Sequence, residues 1–243
     1  MKNPRFTYID PWMAGATFLL ICVGLVMVYS SSSLMAAENY ANHAYFLKRH
    51  LMMLGAGVVA MFIAMILPIR MLKKISFPIF IVCIGLLLIV IGTSMGVEAK
   101  HATRWINLGG FRFQPSEMIK PWFILFTAGY IERMGSKIQS FKEGLLPLLV
   151  IQSAVLLLIL RQPDFGTTVT MASVMFLMIF IAGARLHHLA ALAGLGMCAV
   201  VALIFSADYR KKRFLSFLNP WADPQGDGFQ MIQSLVAFER GGL

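Results

Sequence analysis

The chain has 243 residues, of which 58% are hydrophobic and only 13% charged, and its mean hydropathy is +0.75. Soluble domains carry about 25% charged residues, and a soluble core of this size could not hide so much apolar surface, so the soluble classes are excluded. The apolar runs are continuous, unlike the short alternating segments of a β-barrel, which leaves an all-α polytopic membrane protein. A net charge of +10 with a pI near 9.8 points to anionic lipid headgroups or a lipid-phosphate substrate, and no DNA- or RNA-binding motif accompanies it.

A bilayer crossing takes about 20 mostly apolar residues. The first predicted span is 11–30, with Pro11 at its start and Trp12 at the interface. The polar residues before it lead into a full-length span without a small-residue cleavage site, so the span is read as retained. A polar loop is expected over 31–50, then a second span over 51–67, a short basic loop with Arg70, Lys73 and Lys74, and a third span over 75–97. Residues 98–115 read as a polar, glycine-rich loop, followed by a short fourth span over 116–131 and a charged turn over 132–143. The fifth span is 144–160. After a break at Arg161-Gln-Pro-Asp-Phe-Gly166 the sixth is 167–183, and after a turn carrying Arg185, His187 and His188 the seventh is 189–205.

The three cysteines, Cys22, Cys83 and Cys198, fall inside apolar runs and read as small packing residues with no metal spacing. There is no internal repeat. The seven spans form a single integral-membrane domain, with a catalytic-loop candidate over 206–234. That last stretch holds four consecutive cations, Arg210 to Arg213, two prolines and two glycines, and its irregular backbone would not be satisfied in lipid. It is expected at the membrane surface or along a wet cavity. Seven spans put Met1 and this loop on opposite sides. Nine of the 21 cations fall on the Met1 side and twelve on the other, so the positive-inside rule does not orient the chain. The chain stops at Leu243 inside a helix beginning near Gln230, which predicts a longer natural protein.

Four polar islands could carry chemistry. Glu117 and Lys120 stand at i, i+3 on one helix face, and charge within a span is costly enough to suggest use. The bland reading puts both in a first turn capped by Ser116, with side chains reaching the interface. Asp164 follows Pro163 and can cap the next helix, again a structural role, with Arg161 and Gln162 beside it. Arg104 next to Trp105 suits phosphate and sugar contact, or else is an interfacial aromatic beside a solvated cation. Asp223 precedes Pro224 near the cation cluster and could be a general base, although a lone turn aspartate is usually structural. Nothing resembles a nucleotide loop, a nucleophile elbow or a dedicated metal site.

In order and in placement between spans, these islands resemble the SEDS family (shape, elongation, division and sporulation), the FtsW/RodA peptidoglycan polymerases. The matching pieces are Ala102-Thr-Arg-Trp-Ile-Asn-Leu-Gly-Gly110, Phe113-Gln-Pro-Ser-Glu117 with Lys120, Gln162-Pro-Asp-Phe-Gly166, and Phe217-Leu-Asn-Pro-Trp-Ala-Asp-Pro-Gln-Gly226 with Gly228-Phe-Gln230 and Gln233-Ser234. Asn-Pro-Trp followed by Asp-Pro-Gln-Gly is more similar to the division branch than to the elongation branch. The resemblance implies about ten spans, of which about seven are present, and a large extracytoplasmic loop, here at the C-terminal end.

It also implies polymerisation of lipid II, the undecaprenyl-diphosphate disaccharide-pentapeptide, into septal glycan strands. Partners would be a class B penicillin-binding protein, other division proteins and membrane lipids, but no nucleic acid. The implied location is the bacterial cytoplasmic membrane at the septum, N-terminus inside and Asp223 outside. Asp223 would be the catalytic carboxylate. Arg104, Trp105, Gln114, Glu117, Lys120, Gln162, Asp164, Arg210 and Arg213 would contact the lipid-linked diphosphate or sugar. No cofactor is evident, the metal ligands are unknown, and a divalent cation near the diphosphate stays open. A lipid II flippase and a non-catalytic division scaffold are the competing functions.

Overall fold

The computed structural model describes residues 10–92, 96–99, 102–108, 111–226 and 228–241, with backbone alone for 96–99, 102–108 and 111–112. The chain divides after Leu72 into two compact units. In the first, helix α1 (Pro11–Tyr40) packs on α2 (Tyr45–Ile66). Asp10 caps α1, its carboxylate accepting from the Trp12 and Met13 N–H groups. The helix ends where Ala41 turns left-handed at φ 50°.

Here the expected loop over 31–50 gives way to helix. Ser31 donates to the Met27 carbonyl (2.8 Å) and Ser32 to that of Val28 (2.6 Å), so the polar run satisfies itself within α1. Lys48, Arg49 and His50 sit in the first turns of α2, whose start is fixed by Tyr45 stacking on Tyr40 at 3.9 Å. At 30 residues α1 is about 45 Å long, longer than the hydrocarbon layer of about 30 Å.

The second unit, from Lys73, holds all but the first turn of α3 (Ile69–Gly92), then α4 (Pro115–Met134), α5 (Leu146–Arg161), α6 (Phe165–Ile181) and α7 (Leu186–Phe205), with short connections from α5 to α6 and from α6 to α7. α7 buries only Leu189, whereas one stripe of each of α3 to α6 is buried. In α3 it is Ser76, Phe80, Cys83, Leu87 and Val90; in α5 it is Leu148, Gln152, Val155 and Ile159. These spacings of three and four residues place one face inward. The remaining faces are equally apolar but exposed, including Ile81, Val82, Leu157, Ile181 and Leu195. Helices apolar all round are membrane helices, and the lipid covers what the core does not.

Five of the seven helices are long and apolar enough to cross a membrane: α1, α2, α3, α5 with the turn before it, and α7. α6 is apolar but shorter, and α4 carries charge near both ends. Each of the seven overlaps a predicted span, but the bounds differ: α1 runs ten residues past the predicted end, and Gly96 and Val97, predicted as the end of the third span, lie in a strand. The polytopic helical class holds. α3 begins at Ile69 and absorbs the expected basic loop, and its Lys73 pairs with Glu132 of α4 at 2.6 Å. His187 and His188, read as turn residues, lie in the first turn of α7.

Between α3 and α4 the expected loop forms a small antiparallel sheet of β1 (Gly96–Ala99), β2 (Ala102–Leu108) and β3 (Phe111–Phe113). Trp105 pairs with Val97 and Asn107 with Arg112, with a bulge between Val97 and Glu98. β-Branched and aromatic residues, Thr103, Trp105, Ile106 and Phe111, favour strand here over coil.

Inside the helical core, Phe80 stacks on Phe126 at 4.5 Å. The fully buried Gln152 amide donates to the Thr127 hydroxyl (2.5 Å), which donates to the Phe123 carbonyl (2.7 Å) and ties α4 to α5. The predicted charged turn is a 3₁₀ segment (Gly135–Gln139) and a π turn (Phe141–Leu145) folded on each other. The Tyr130 hydroxyl donates to the Gly144 carbonyl at 2.9 Å. A methyl on Gly144 would stand 2.2 Å from the Lys137 carbonyl oxygen and 2.7 Å from the Ile138 Cα, both backbone. Gly144→Ala is therefore expected to destabilise the protein by about 1–3 kcal/mol, read as a lowered thermal midpoint in detergent. Gly129→Ala, whose methyl meets nothing, should leave it level or raised.

Candidate functional site

α4 begins one residue earlier than expected, with Gln114 and not Ser116 at the cap position. Pro115 occupies the first turn, where its missing N–H costs nothing. The Gln114 side-chain amide donates to the Ser116 hydroxyl (2.9 Å). One turn on, Lys120 pairs with Glu117 at 2.6 Å; both remain open, with side chains 37% and 57% exposed respectively. The pair sits near the N-terminal end of α4. Arg104 and Trp105 lie on β2; their side chains fall outside the described residues.

Gln162 ends α5 and is 2% exposed. Asp164 caps α6, accepting the Thr167 N–H at 3.2 Å, as the sequence suggests. Opposite this corner the expected irregular loop opens with a helix, α8 (Asp208–Leu218). Lysine and arginine are good helix formers, and the four cations continue the helix instead of breaking it. Arg210 fastens α8 to the end of α7. Its Nη1 donates to the Leu203 carbonyl (2.6 Å) and the Ser206 hydroxyl (3.2 Å), and its Nε donates to the Tyr209 hydroxyl (3.0 Å). A cation on the last carbonyls of a helix is favoured by charge and by hydrogen bonding.

This fold-back encloses a cavity of about 390 Å³ between the 163–166 corner and α8. Asp164, Arg210 and Arg213 meet in its wall with Phe165, Tyr209, Phe214 and Phe217. The Arg210 guanidinium lies 5.9 Å from the Phe165 ring and 5.3 Å from that of Tyr209. Of its five N–H donors, the two on Nη2 face no partner among the described residues. Arg213 and Phe217 also line a second cavity of about 300 Å³, completed by Ser216, Gln230, Met231 and Ser234. Gln230 and Ser234 lie on α9 (Phe229–Gly241), which starts where the sequence places it.

After α8 a short 3₁₀ turn (Pro220–Ala222) leads to Asp223. Its carboxylate Oδ1 accepts the Gly226 N–H (3.1 Å) and its carbonyl accepts that of Gly228 (3.1 Å), so the chain wraps around this residue. Asp223 is exposed. The structure thus brings Asp164, Arg210 and Arg213 together. Asp223, Gln114, Glu117 and Lys120 are not among the residues lining either cavity. Of the other wall residues, Phe165 and Phe217 stand in the motifs quoted above without a role, and Ile204, Tyr209 and Phe214 were not singled out. The signal for Tyr209 and Phe214 was aromatic side chains flanking Arg210 and Arg213 in the sequence.

Residues 11–243 match the family model FTSW_RODA_SPOVE, described as cell cycle protein. The chain belongs to the FtsW/RodA/SpoVE family. Among curated members it is 42% identical over 226 residues to a probable peptidoglycan glycosyltransferase FtsW of Geobacter sulfurreducens, covering 92% of this chain and 60% of the relative. It is 40% identical over 227 residues to stage V sporulation protein E of Bacillus subtilis, covering 93% and 62%. The chain therefore spans about 60% of the length of these relatives.

Among solved structures, it is similar to a chain of a peptidoglycan synthase complex that coordinates polymerisation and crosslinking, with 28% identity, TM-score 0.65, and coverage of 88% and 64%. It is also similar to the rod shape determining protein RodA of Thermus thermophilus, with 26% identity, TM-score 0.51, and coverage of 71% and 58%. Family membership and the helical spans together make this a multi-pass membrane protein.

Proposed function

We propose that the native protein is a peptidoglycan glycosyltransferase that polymerises lipid II into glycan strands at the outer surface of the cytoplasmic membrane. The observation that carries this reading is the cavity walled by Arg210, Arg213 and aromatic side chains at the end of a membrane helix, on the segment that leads to Asp223. A polyprenyl-diphosphate sugar has one apolar part and one anionic part, and this wall offers a surface for each. The relatives' name, probable peptidoglycan glycosyltransferase, supports the same assignment.

In the proposed reaction Asp223 takes the proton of the acceptor sugar's 4-hydroxyl. The oxygen attacks the anomeric carbon of the donor, the bond from that carbon to the diphosphate oxygen breaks, and the lipid diphosphate leaves with the electron pair. Negative charge on the leaving group is met by Arg213 and by the Nη2 hydrogens of Arg210, already oriented by the bonds to Leu203, Ser206 and Tyr209. Gln114, Glu117, Lys120, Gln162 and Asp164, with Arg104 and Trp105 on β2, are assigned to holding the diphosphate and sugars.

A divalent cation carried in by the diphosphate would add to the same neutralisation. Among the described residues no three His, Cys, Asp or Glu side chains gather into a site for one. We assign the protein to septal synthesis, N-terminus inside and Asp223 outside, beside a class B penicillin-binding protein as transpeptidase and other division proteins. The support for a synthase partnership is the likeness to the solved synthase complex.

Two experiments test this function. Purified native protein in detergent, given lipid II, should form polymer; unchanged lipid II together with translocation in vesicles would make it a flippase. Separately, an exposed i, i+3 ion pair such as Glu117–Lys120 contributes only about 0.3–0.5 kcal/mol to stability. Lys120→Ala is expected to leave the thermal midpoint almost unmoved yet lower polymerisation more than about tenfold, the loss of one charge-assisted contact. Unchanged polymerisation would return the pair to a structural role and favour the scaffold reading.

A further inference from the structure

The four-cation run is divided by the helix it forms. At 100° per residue, Arg210 and Arg213 turn to the cavity side with Phe214 and Phe217, while Lys211, Leu215 and Leu218 form a stripe on the flank about 120° away and Lys212 lies about 150° from the cavity side. Both lysines are exposed, and neither makes an ion pair among the described residues. Leu215 and Leu218 are 48% and 66% exposed. Only Ser206 and Ala207 separate this helix from α7, and Arg210 holds it folded against the end of α7. Where α7 leaves the bilayer, α8 therefore lies at headgroup depth.

From this placement we infer that the Lys211–Leu215–Leu218 face of α8 with Lys212 is a contact for anionic phospholipid of the surrounding leaflet. The two leucines enter the acyl boundary and the two ammonium groups reach up to phosphate. Lysine stems lie along apolar surface with their heads in the wet zone, as in interfacial helices that bind acidic membranes. The contact fixes the cavity-forming helix from outside and keeps Arg210 and Arg213 on its inner side. The inference rests on α7 crossing the bilayer and not on the transferase reading, so either can fail alone.

Each lysine near an anionic surface is worth about a fivefold preference. The test places a benzophenone photo-crosslinker at position 215 of the native protein, in vesicles of equal parts phosphatidylglycerol and phosphatidylcholine carrying different isotopic tags. Phosphatidylglycerol adducts should exceed phosphatidylcholine adducts at least about fivefold. The ratio should fall toward one in Lys211→Gln/Lys212→Gln, and it should fall in the unsubstituted protein when salt is raised. Equal adducts in the unsubstituted protein would overturn the inference. So would crosslinks to protein alone, meaning that other chain covers this face, or adducts that move to lipid II when a trace of it is added, meaning that this is a substrate surface.

Discussion

Gly228→Ala is expected to abolish polymerisation while leaving the helical membrane core intact. A methyl at this position would stand 2.0 Å from the Pro220 carbonyl oxygen and 2.8 Å from that of Asp223. Both are backbone atoms, so no side chain can swing away, and the chain itself has to move. The Gly228 N–H is bonded to the Asp223 carbonyl, and the Gly228 carbonyl accepts from Ile232 in the first turn of α9. The methyl therefore pushes α9 off the Asn219–Asp223 turn. Overpacking of this kind costs about 1–3 kcal/mol, and the cost falls on the loop alone.

Expression and the thermal midpoint of the helical core should change little, and polymer yield should drop more than about a hundredfold, as a displacement of about 1 Å near reacting groups can do. Gly226→Ala is the informative partner. There the three atoms nearest the new methyl all belong to the Asp223 carboxylate, the first at 2.1 Å from Oδ2, and a side chain can rotate. The loop backbone should hold, but the group that rotates is the proposed base, which also gives up its bond to the Gly226 N–H. Polymerisation should again fall about a hundredfold, this time without the loosened loop expected of Gly228→Ala.

Asp223→Asn carries the largest expected effect on chemistry. Asparagine keeps an Oδ1 that can accept the Gly226 N–H, so the turn survives, but it has no charge and no basicity at neutral pH. Membrane insertion and lipid II binding should persist. Polymerisation should fall by about 10²–10⁴, the usual contribution of a general base. Asp223→Ala, by contrast, removes both base and turn acceptor and should also loosen the loop. A difference between the two in loop proteolysis, with equal loss of activity, would separate the two roles of one carboxylate.

The apolar helices were legible because apolar runs of about 20 residues have few other uses. Helix ends were not. α1 runs on to Tyr40 because Ser31 and Ser32 bond back to their own helix, and a hydropathy reading counts those hydroxyls as loop. The sheet over 96–113 went unread because its glycines and cations resemble a loop, and its pairing is set by register and not by composition.

At the site, the Asp164 cap could be read from local order alone. The fold-back of α8 could not, since it depends on Arg210 reaching Leu203, seven residues away, across the break after α7. The cluster Arg210–Arg213 reads as one basic patch in one dimension. Helical geometry makes it two: an inner pair of arginines and an outer pair of lysines.

The most direct measurement is strand formation from radiolabelled lipid II by the purified native protein in detergent, unsubstituted and Asp223→Asn side by side, with lipid II binding measured on both. The proposed mechanism predicts glycan strands from the first, none above background from the second, and equal binding. Strands of normal length from the substituted protein would contradict it and remove the carboxylate from the proton transfer.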